Sequence, residues 1–140
     1  TSDSAVVTEP LVRFLGKSVR VLEGSAKRNA PVDTGRLRAS IVAGVEGLAG
    51  YVWTPVFYAP YQEHGTRPHF PPIDALQPWA RRHGFPEGRS GGFLVARAIA
   101  RRGTRAHPFF RPAVQQNAAV LEGLLATAAT EIEKGLAGGK

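Results

Sequence analysis

The two ends of the chain carry the clearest periodicity in the sequence, and they constrain the fold more than any other feature. From Pro112 to about Leu136, apolar residues recur at steps of four and three, which predicts an amphipathic helix with a narrow seam. The seam consists of Val114, Ala118, Leu121, Leu125, Ala128 and Ile132. A similar stripe over residues 8–29 predicts a second helix, which Pro31 prevents from extending. A long helix is therefore expected at each end.

The segment between these helices is interrupted by proline and glycine and predicts shorter elements. Residues 39–57 combine β-favouring side chains with the turn GLAG, which is typical of an antiparallel hairpin. Residues 69–106 read as an inserted segment with two short helices, one ending near Gly84 and one over Phe93–Arg102, joined by a flexible EGRSGG connector. Residues 1–7 are expected to be a flexible polar arm rather than a leader. The 140 residues fit a single domain over 1–140.

The net charge of +7 is unevenly distributed. Nine arginines and no lysine lie between Arg67 and Arg111, and only Asp74 and Glu87 oppose them in that span. Because the guanidinium fork suits carboxylates and phosphates, an anionic partner is one interpretation, either DNA or an acidic protein surface. A solvated basic surface is the other. The candidate contacts are Arg81, Arg82, Arg89, Arg97, Arg101, Arg102 and Arg105.

Catalysis and metal binding find little support in the sequence. The stretch YAPYQEHGTRPHF places Glu63 near His64 and His69, but Gly65 and Pro68 prevent these side chains from sharing one helical face. The chain has no cysteine, no phosphate-binding loop and no G-x-S-x-G motif. No enzyme activity, cofactor or metal is therefore expected. A metal-dependent hydrolase at Glu63, His64 and His69 is the rival hypothesis, which metal analysis of the purified protein would test.

Three motifs in a fixed order resemble a known family. The first is APVDTGRLRASI, the second is YAPYQEHGT after the predicted hairpin, and the third is HPFFRPA before the last helix. In this order they are similar to the small head–tail joining proteins of long-tailed bacteriophages, the neck and tail-completion family. The matching positions are Asp33, Thr34, Gly35, Leu37, Arg38, Ser40 and Ile41; Tyr58, Ala59, Glu63, Gly65 and Thr66; and Pro108, Phe109, Phe110, Arg111, Pro112 and Ala113.

The resemblance implies an α+β fold, with an antiparallel β-sheet flanked by the long N-terminal and C-terminal helices and an arginine-rich insertion. It also implies a structural virion protein, assembled in the host cytoplasm. Such a protein would form a six-fold ring in the neck, between the DNA-filled head and the tail. Its partners would be other copies of itself, the neck, connector and tail-tube proteins, and DNA passing non-specifically through the ring, with no membrane.

The sequence leaves two further alternatives open. A tail terminator that caps the tail tube is also a small ring-forming protein, and a non-specific DNA-binding protein would use the segment from Arg67 to Arg111. Within the motifs, Asp33–Gly35 is expected to turn the chain from helix to strand. Glu63 and Thr66 are expected to bond the backbone or an arginine, with Arg38 and Arg111 as candidates. Phe109 and Phe110 could serve either an interface or the protein's own core.

Overall fold

The structure is a computed structural model that describes residues 2–138, and it has the predicted α+β class. The chain divides into two compact units. Unit 1 contains the residues up to Val56 together with those from Phe109 onward, and unit 2 is Phe57–Pro108. The single-domain prediction stays a prediction beside this division.

The described chain contains helices and one hairpin. The helices are α1 (Ser2–Asn29), α2 (Arg36–Ser40), α3 (Ala59–His64), α4 (Ile73–Arg82), α5 (Arg89–Arg102), α6 (Phe110–Gln116) and α7 (Ala118–Gly138). Strands β1 (Val42–Glu46) and β2 (Ala49–Trp53) pair antiparallel, with Val42 opposite Trp53 and Glu46 opposite Ala49. A two-residue turn joins them, and its first residue, Gly47, has a φ of 57° that glycine adopts at little cost.

Helix α1 is the element around which unit 1 is built, since it packs against the hairpin, α6 and α7. It runs antiparallel to the last two helices. Near its beginning, Val6 approaches the backbone of α7 so closely that a Cβ at Gly135 would lie 2.7 Å from Val6 Cγ1. Near its end, Ser25 Oγ donates a hydrogen bond of 3.2 Å to Gln116 Oε1 of α6. The two predicted terminal helices are therefore each other's partners.

The hairpin lies against α1 through one face only. A Cβ at Gly50 would lie 2.7 Å from Val19 Cγ1, so glycine allows the strand backbone to approach the helix. Because side chains alternate across a strand, the opposite face carries Val42, Tyr51 and Trp53, which are 44%, 44% and 57% exposed. The hairpin thus presents an apolar outer face.

The N-terminal arm prediction is wrong for residues 2–7, which belong to α1. Packing against α7 extends the helix beyond the predicted start, because Val6 reaches Gly135 there. Pro10 is therefore inside the helix rather than in its first turn. Proline lacks an N–H, so the helix forgoes one backbone hydrogen bond at this position. Residue 1 of the predicted arm lies outside the described residues.

The C-terminal helix is not continuous as predicted, because the chain is interrupted at Asn117. The Asn117 side chain donates from Nδ2 to the carbonyl of Ala113 at 2.7 Å, which competes with regular helical hydrogen bonding. The interruption also changes the predicted seam. Ala128 is buried, and Leu121 and Ile132 are half-buried, whereas the seam positions Val114, Ala118 and Leu125 are exposed.

Unit 2 contains the helices α4 and α5, which pack against each other. The EGRSGG segment is not a flexible connector, since α5 begins at Arg89 and buries Gly91 and Gly92. A Cβ at Gly92 would lie 2.6 Å from the Ile73 carbonyl oxygen, so a side chain there would separate the two helices. Glycine therefore serves close helix packing at these positions rather than flexibility.

Truncation of Phe109 should destabilise unit 1 strongly, because its ring is fully buried. We expect Phe109→Ala to lower the free energy of unfolding by roughly 3–5 kcal/mol, measured by urea denaturation. Phe57→Ala is the matched control, since the Phe57 ring is 76% exposed. Equal losses for the two variants would contradict the buried role of Phe109.

The ion pair between α1 and α7 should be visible in the titration of Glu131. Arg13 Nη2 donates to Glu131 Oε2 at 2.7 Å, and this hydrogen bond lowers the pKa of Glu131 below its usual value. The pair stabilises the protein above the unfolded-state pKa, and this contribution is lost as the pH falls through the lowered folded-state pKa. NMR titration of the Glu131 carboxyl should show the pKa return towards normal in Arg13→Gln. Lys17→Gln should change it less, since Lys17 acts only through its charge. Equal pKa values in the wild type and Arg13→Gln would contradict the pairing.

Candidate assembly site

The first motif shapes the connection between α1 and the hairpin. Gly35 has a φ of 85°, in the left-handed region that favours glycine, and Thr34 Oγ1 accepts a hydrogen bond of 3.4 Å from the Arg36 N–H. The turn leads into α2 and not directly into a strand, which corrects the sequence prediction. Helix α2 then buries Leu37, and Ile41 follows it into the core. The apolar residues of this motif therefore serve the fold.

The polar residues of the same motif hold neighbouring segments together. Arg38 Nε donates to the Lys27 carbonyl at 2.8 Å, near the C-terminal end of α1. The Ser40 hydroxyl lies 2.6 Å from the Thr54 hydroxyl, and Thr54 Oγ1 accepts from the Val56 N–H at 3.2 Å. Because the bond between Ser40 and Thr54 closes the open end of the hairpin, opposite its turn, the motif determines how the hairpin is presented.

The second motif folds as the short helix α3 followed by Gly65 and Thr66. Ala59 and Glu63 are buried on one face of this helix, as their four-residue spacing requires. Thr66 has the backbone partner that the sequence predicted. Its N–H donates to the Thr104 carbonyl at 3.0 Å, and the Thr104 N–H donates back at 3.2 Å.

Two Gly-Thr dipeptides form this contact in nearly the same conformation. Gly65 has φ 73° and ψ −176°, and Gly103 has φ 72° and ψ −164°. A Cβ at Gly65 would lie 2.6 Å from the Thr104 carbonyl oxygen, and one at Gly103 would lie 2.1 Å from that of Thr66. The Thr66 and Thr104 hydroxyls are 2.9 Å apart. The bridge joins the beginning and the end of unit 2, and only glycine fits beside it.

Glu63 is the one acidic residue of the second motif, and only 9% of it is exposed. A buried carboxylate is costly unless it is hydrogen-bonded or paired. Its pairing with Arg38 or Arg111 stays a prediction. Since Glu63 is buried rather than facing an open cleft, its position is typical of a residue that organises the fold.

The third motif starts the last part of unit 1. Phe109 and Ala113 are buried, and the rings of Phe109 and Phe110 lie 4.5 Å apart between centroids. Of the two interpretations of these phenylalanines, the structure assigns Phe109 to the core. Arg111 is exposed on the first turn of α6. As in the first motif, the apolar members of the third motif stabilise the fold.

The arginines of unit 2 do not act as one set. Arg89 Nη1 lies 2.6 Å from Asp74 Oδ1, so its charge is already opposed within the unit. Arg97, Arg101 and Arg102 instead lie together along α5. With Leu94 and Ala98 they line a shallow cleft of about 360 Å³, which we call the arginine cleft. Arg81 lines a separate cleft that also contains Asp74 and Glu87, and Arg82 and Arg105 are exposed elsewhere.

The two histidines near Glu63, one in the second motif and one just after it, lie at the surface of the protein. His64 and His69 are exposed, and His69 Nδ1 lies 2.9 Å from the Arg67 carbonyl. Within residues 2–138, no group of three or more histidine, cysteine, aspartate or glutamate side chains could hold a metal ion. Nor does that part of the chain contain a helix long and apolar enough to cross a membrane.

Comparison with known proteins gives one family match. Residues 2–65 match the model of the HK97-gp10-like family, described as "Bacteriophage HK97-gp10, putative tail-component". This segment is somewhat less than half of the chain and contains the first two motifs. The match supports the resemblance to the head–tail joining proteins of tailed bacteriophages, and with it a structural role in the virion. No curated protein and no solved structure matches the chain.

Two features of the site were missed by reasoning from the sequence. The bridge between Thr66 and Thr104 joins residues far apart in the chain, although the repeated Gly-Thr dipeptide is a signal that could have indicated it. The arginine cleft was hidden inside a longer basic segment. Its signal is the spacing of Leu94, Arg97, Ala98 and Arg101, which places them on one face of a helix.

The bridge predicts a large effect of a single methyl group in unit 2. Gly65→Ala should lower stability by at least about 1–3 kcal/mol, because its backbone region is nearly restricted to glycine, and contact with the Thr104 carbonyl adds to the cost. Hydrogen exchange at the Thr66 and Thr104 amides should accelerate.

Gly84→Ala is the control for this prediction. Gly84 also has a positive φ, of 82°, but a Cβ there would meet nothing within 4 Å. It should show a smaller loss of stability and leave exchange at both threonines unchanged. Unchanged exchange in Gly65→Ala would show that the bridge does not hold unit 2 together.

Proposed function

We propose that the protein forms a six-fold ring in the neck of a tailed phage, where it joins the DNA-filled head and its connector to the tail. The observation that carries the proposal is the family match over residues 2–65. The order of the three motifs and the positions of their residues support it. Leu37, Ile41 and Phe109 are core residues, so the motifs specify a common scaffold on which an assembly surface can vary.

The exposed side chains support a role in assembly. The outer face of the hairpin exposes Tyr51 by 44% and Trp53 by 57%, and unit 2 exposes Phe57, Tyr61 and Phe70, each of these three by more than half of its surface. Aromatic residues are enriched at the centres of protein interfaces, whereas isolated exposed apolar residues are ordinary. Several exposed aromatic residues in both units are consistent with a protein whose surface is largely buried against partner proteins after assembly.

The proposed partners are other copies of the chain, the neighbouring neck and connector proteins, and the tail tube. DNA would pass through the ring without sequence-specific contacts. Unit 2 contains eight arginines, no lysine and three acidic residues, so its charge attracts anions. That charge also favours the second candidate, a non-specific DNA-binding protein, and a tail terminator remains the alternative within the phage class.

The experiment compares particles from a phage with and without the gene for this chain, using electron microscopy of lysates. The proposal expects filled heads and finished tails of normal length that do not join, and joining should return when purified protein is added. Tails of uncontrolled length would indicate a terminator instead. Normal virions in the absence of the gene would overturn both structural roles.

The DNA-binding candidate is separated by a second measurement on the purified protein. Non-specific binding releases counterions, so the affinity for a DNA duplex should fall steeply with salt. Tight, strongly salt-dependent binding by a protein whose loss leaves head–tail joining intact would favour that candidate.

A further inference from the structure

The arginine cleft of α5 combines charge with apolar surface in an unusual way. Leu94 and Ala98 form its floor, and Arg97, Arg101 and Arg102 surround them. Among residues 2–138, these three guanidinium groups have no hydrogen bond or ion pair to an acidic side chain, and that of Arg97 lies 6.0 Å from the centroid of the exposed Phe93 ring. The cleft is therefore ready to accept a partner that is both anionic and apolar.

The composition of the cleft favours a protein partner over nucleic acid. Arginine and aromatic residues are enriched, and lysine depleted, at the buried centres of protein interfaces. Phosphate binding requires only placed positive charge and polar donors, and it gives no role to Leu94, Ala98 or Phe93. The flat, small floor at Ala98 also permits the close approach of another helix backbone.

A surface with the complementary pattern is present on α7. Helix α7 contains three glutamates and one lysine, and Glu131 is already paired with Arg13. The remaining two glutamates lie on one exposed face together with small and apolar residues. This face, which we call the outer stripe, consists of Glu122, Leu125, Ala126, Ala129, Glu133 and Leu136.

The residues of the outer stripe share one face of α7. They recur at three- and four-residue steps, which places them on one side of the helix, away from the contact with α1. Leu125, Ala126 and Ala129 form an apolar centre, and each glutamate lies about one turn (~5 Å) beyond it. Leu125 and Leu136 are 49% and 51% exposed, although both are leucines in a helix that packs against α1.

From this complementarity we propose that the outer stripe of α7 in one copy docks into the arginine cleft of α5 in the next copy. Leu125, Ala126 and Ala129 would pack on Leu94 and Ala98, while Glu122 and Glu133 pair with the surrounding arginines. The contact joins two different surfaces, so each copy offers one of each, which is the heterologous type that closes into a ring. The inference deepens the proposed ring function and rests on it.

The experiment uses two complementary charge reversals in the full chain and measures oligomeric state by sedimentation velocity. The cleft variant is Arg97→Glu with Arg101→Glu, and the stripe variant is Glu122→Arg with Glu133→Arg. Wild-type protein should associate beyond a dimer as concentration rises. Each variant alone should bind its own kind at least about a hundredfold more weakly, since opposed charges become like charges.

Mixing the two variants gives the decisive result. Each variant is complementary to the other at both surfaces, since the intact stripe faces the intact cleft and the reversed stripe faces the reversed cleft. An equal mixture should therefore associate beyond a dimer, with the two variants alternating. A chain that carries all four reversals should regain association. Arg20→Glu with Arg28→Glu is the matched control, because it makes the same charge change at exposed positions of α1 and should leave association unchanged. Circular dichroism checks that every variant is folded.

Each other outcome contradicts the inference. Unchanged association of both variants would place the contact between copies elsewhere, and the proposed ring would stand. Loss of duplex DNA binding in the cleft variant, with association intact, would assign the cleft to nucleic acid. Wild-type protein that stays monomeric at high concentration would overturn this contact, whereas the proposed function is tested separately by the morphology of particles that lack the protein.

Discussion

The packing of α1 against three partners is the constraint on which unit 1 depends. One helix supports the hairpin, α6 and α7, and it can do so only because the partner backbones come close. Gly50 leaves room for Val19, and Gly135 leaves room for Val6. Without α1 a two-stranded hairpin would be marginal in water, since it has a single face to bury and no third strand. The long first helix is therefore the scaffold for the only sheet in the described chain.

The need for close packing around α1 also explains why the three motifs are mainly structural. Asp33–Gly35 forms the turn after α1, and Leu37 and Ile41 are buried in the core. Ser40 closes the open end of the hairpin through its contact with Thr54. Phe109, which lies much later in the chain, is also fully buried. Motifs of this kind identify a fold because they preserve its packing. In the proposed assembly, the surfaces that contact other proteins would lie on the exposed faces between these motifs.

The sequence was sufficient for the α+β class, the hairpin and the two terminal helices, because periodicity and turn residues determine such elements locally. It failed where a distant contact overrides a local signal. Residues 2–7 were predicted to be a flexible polar arm, yet they belong to α1, where Val6 packs against Gly135 of α7. Gly91 and Gly92 look flexible, yet they are buried where α5 meets α4. Only half of the six predicted seam residues are buried or half-buried. The helix is interrupted at Asn117, and the seam residues nearest to it, Val114 and Ala118, are exposed. Of the seven candidate arginines, three lie together in the arginine cleft, and only the structure could distinguish these three from the others.

With a net charge of +7, the proposed contact between copies has to satisfy electrostatics as well as packing. Like-charged copies of a protein repel one another in solution. A contact formed from apolar surface alone would have to overcome that repulsion and would also invite aggregation. Two surfaces that each combine leucine and alanine with opposite charges meet both requirements, because the charges cancel only when the correct faces meet. The glutamates of α7 are then as important for specificity as the arginines of α5, although they are outnumbered in the chain.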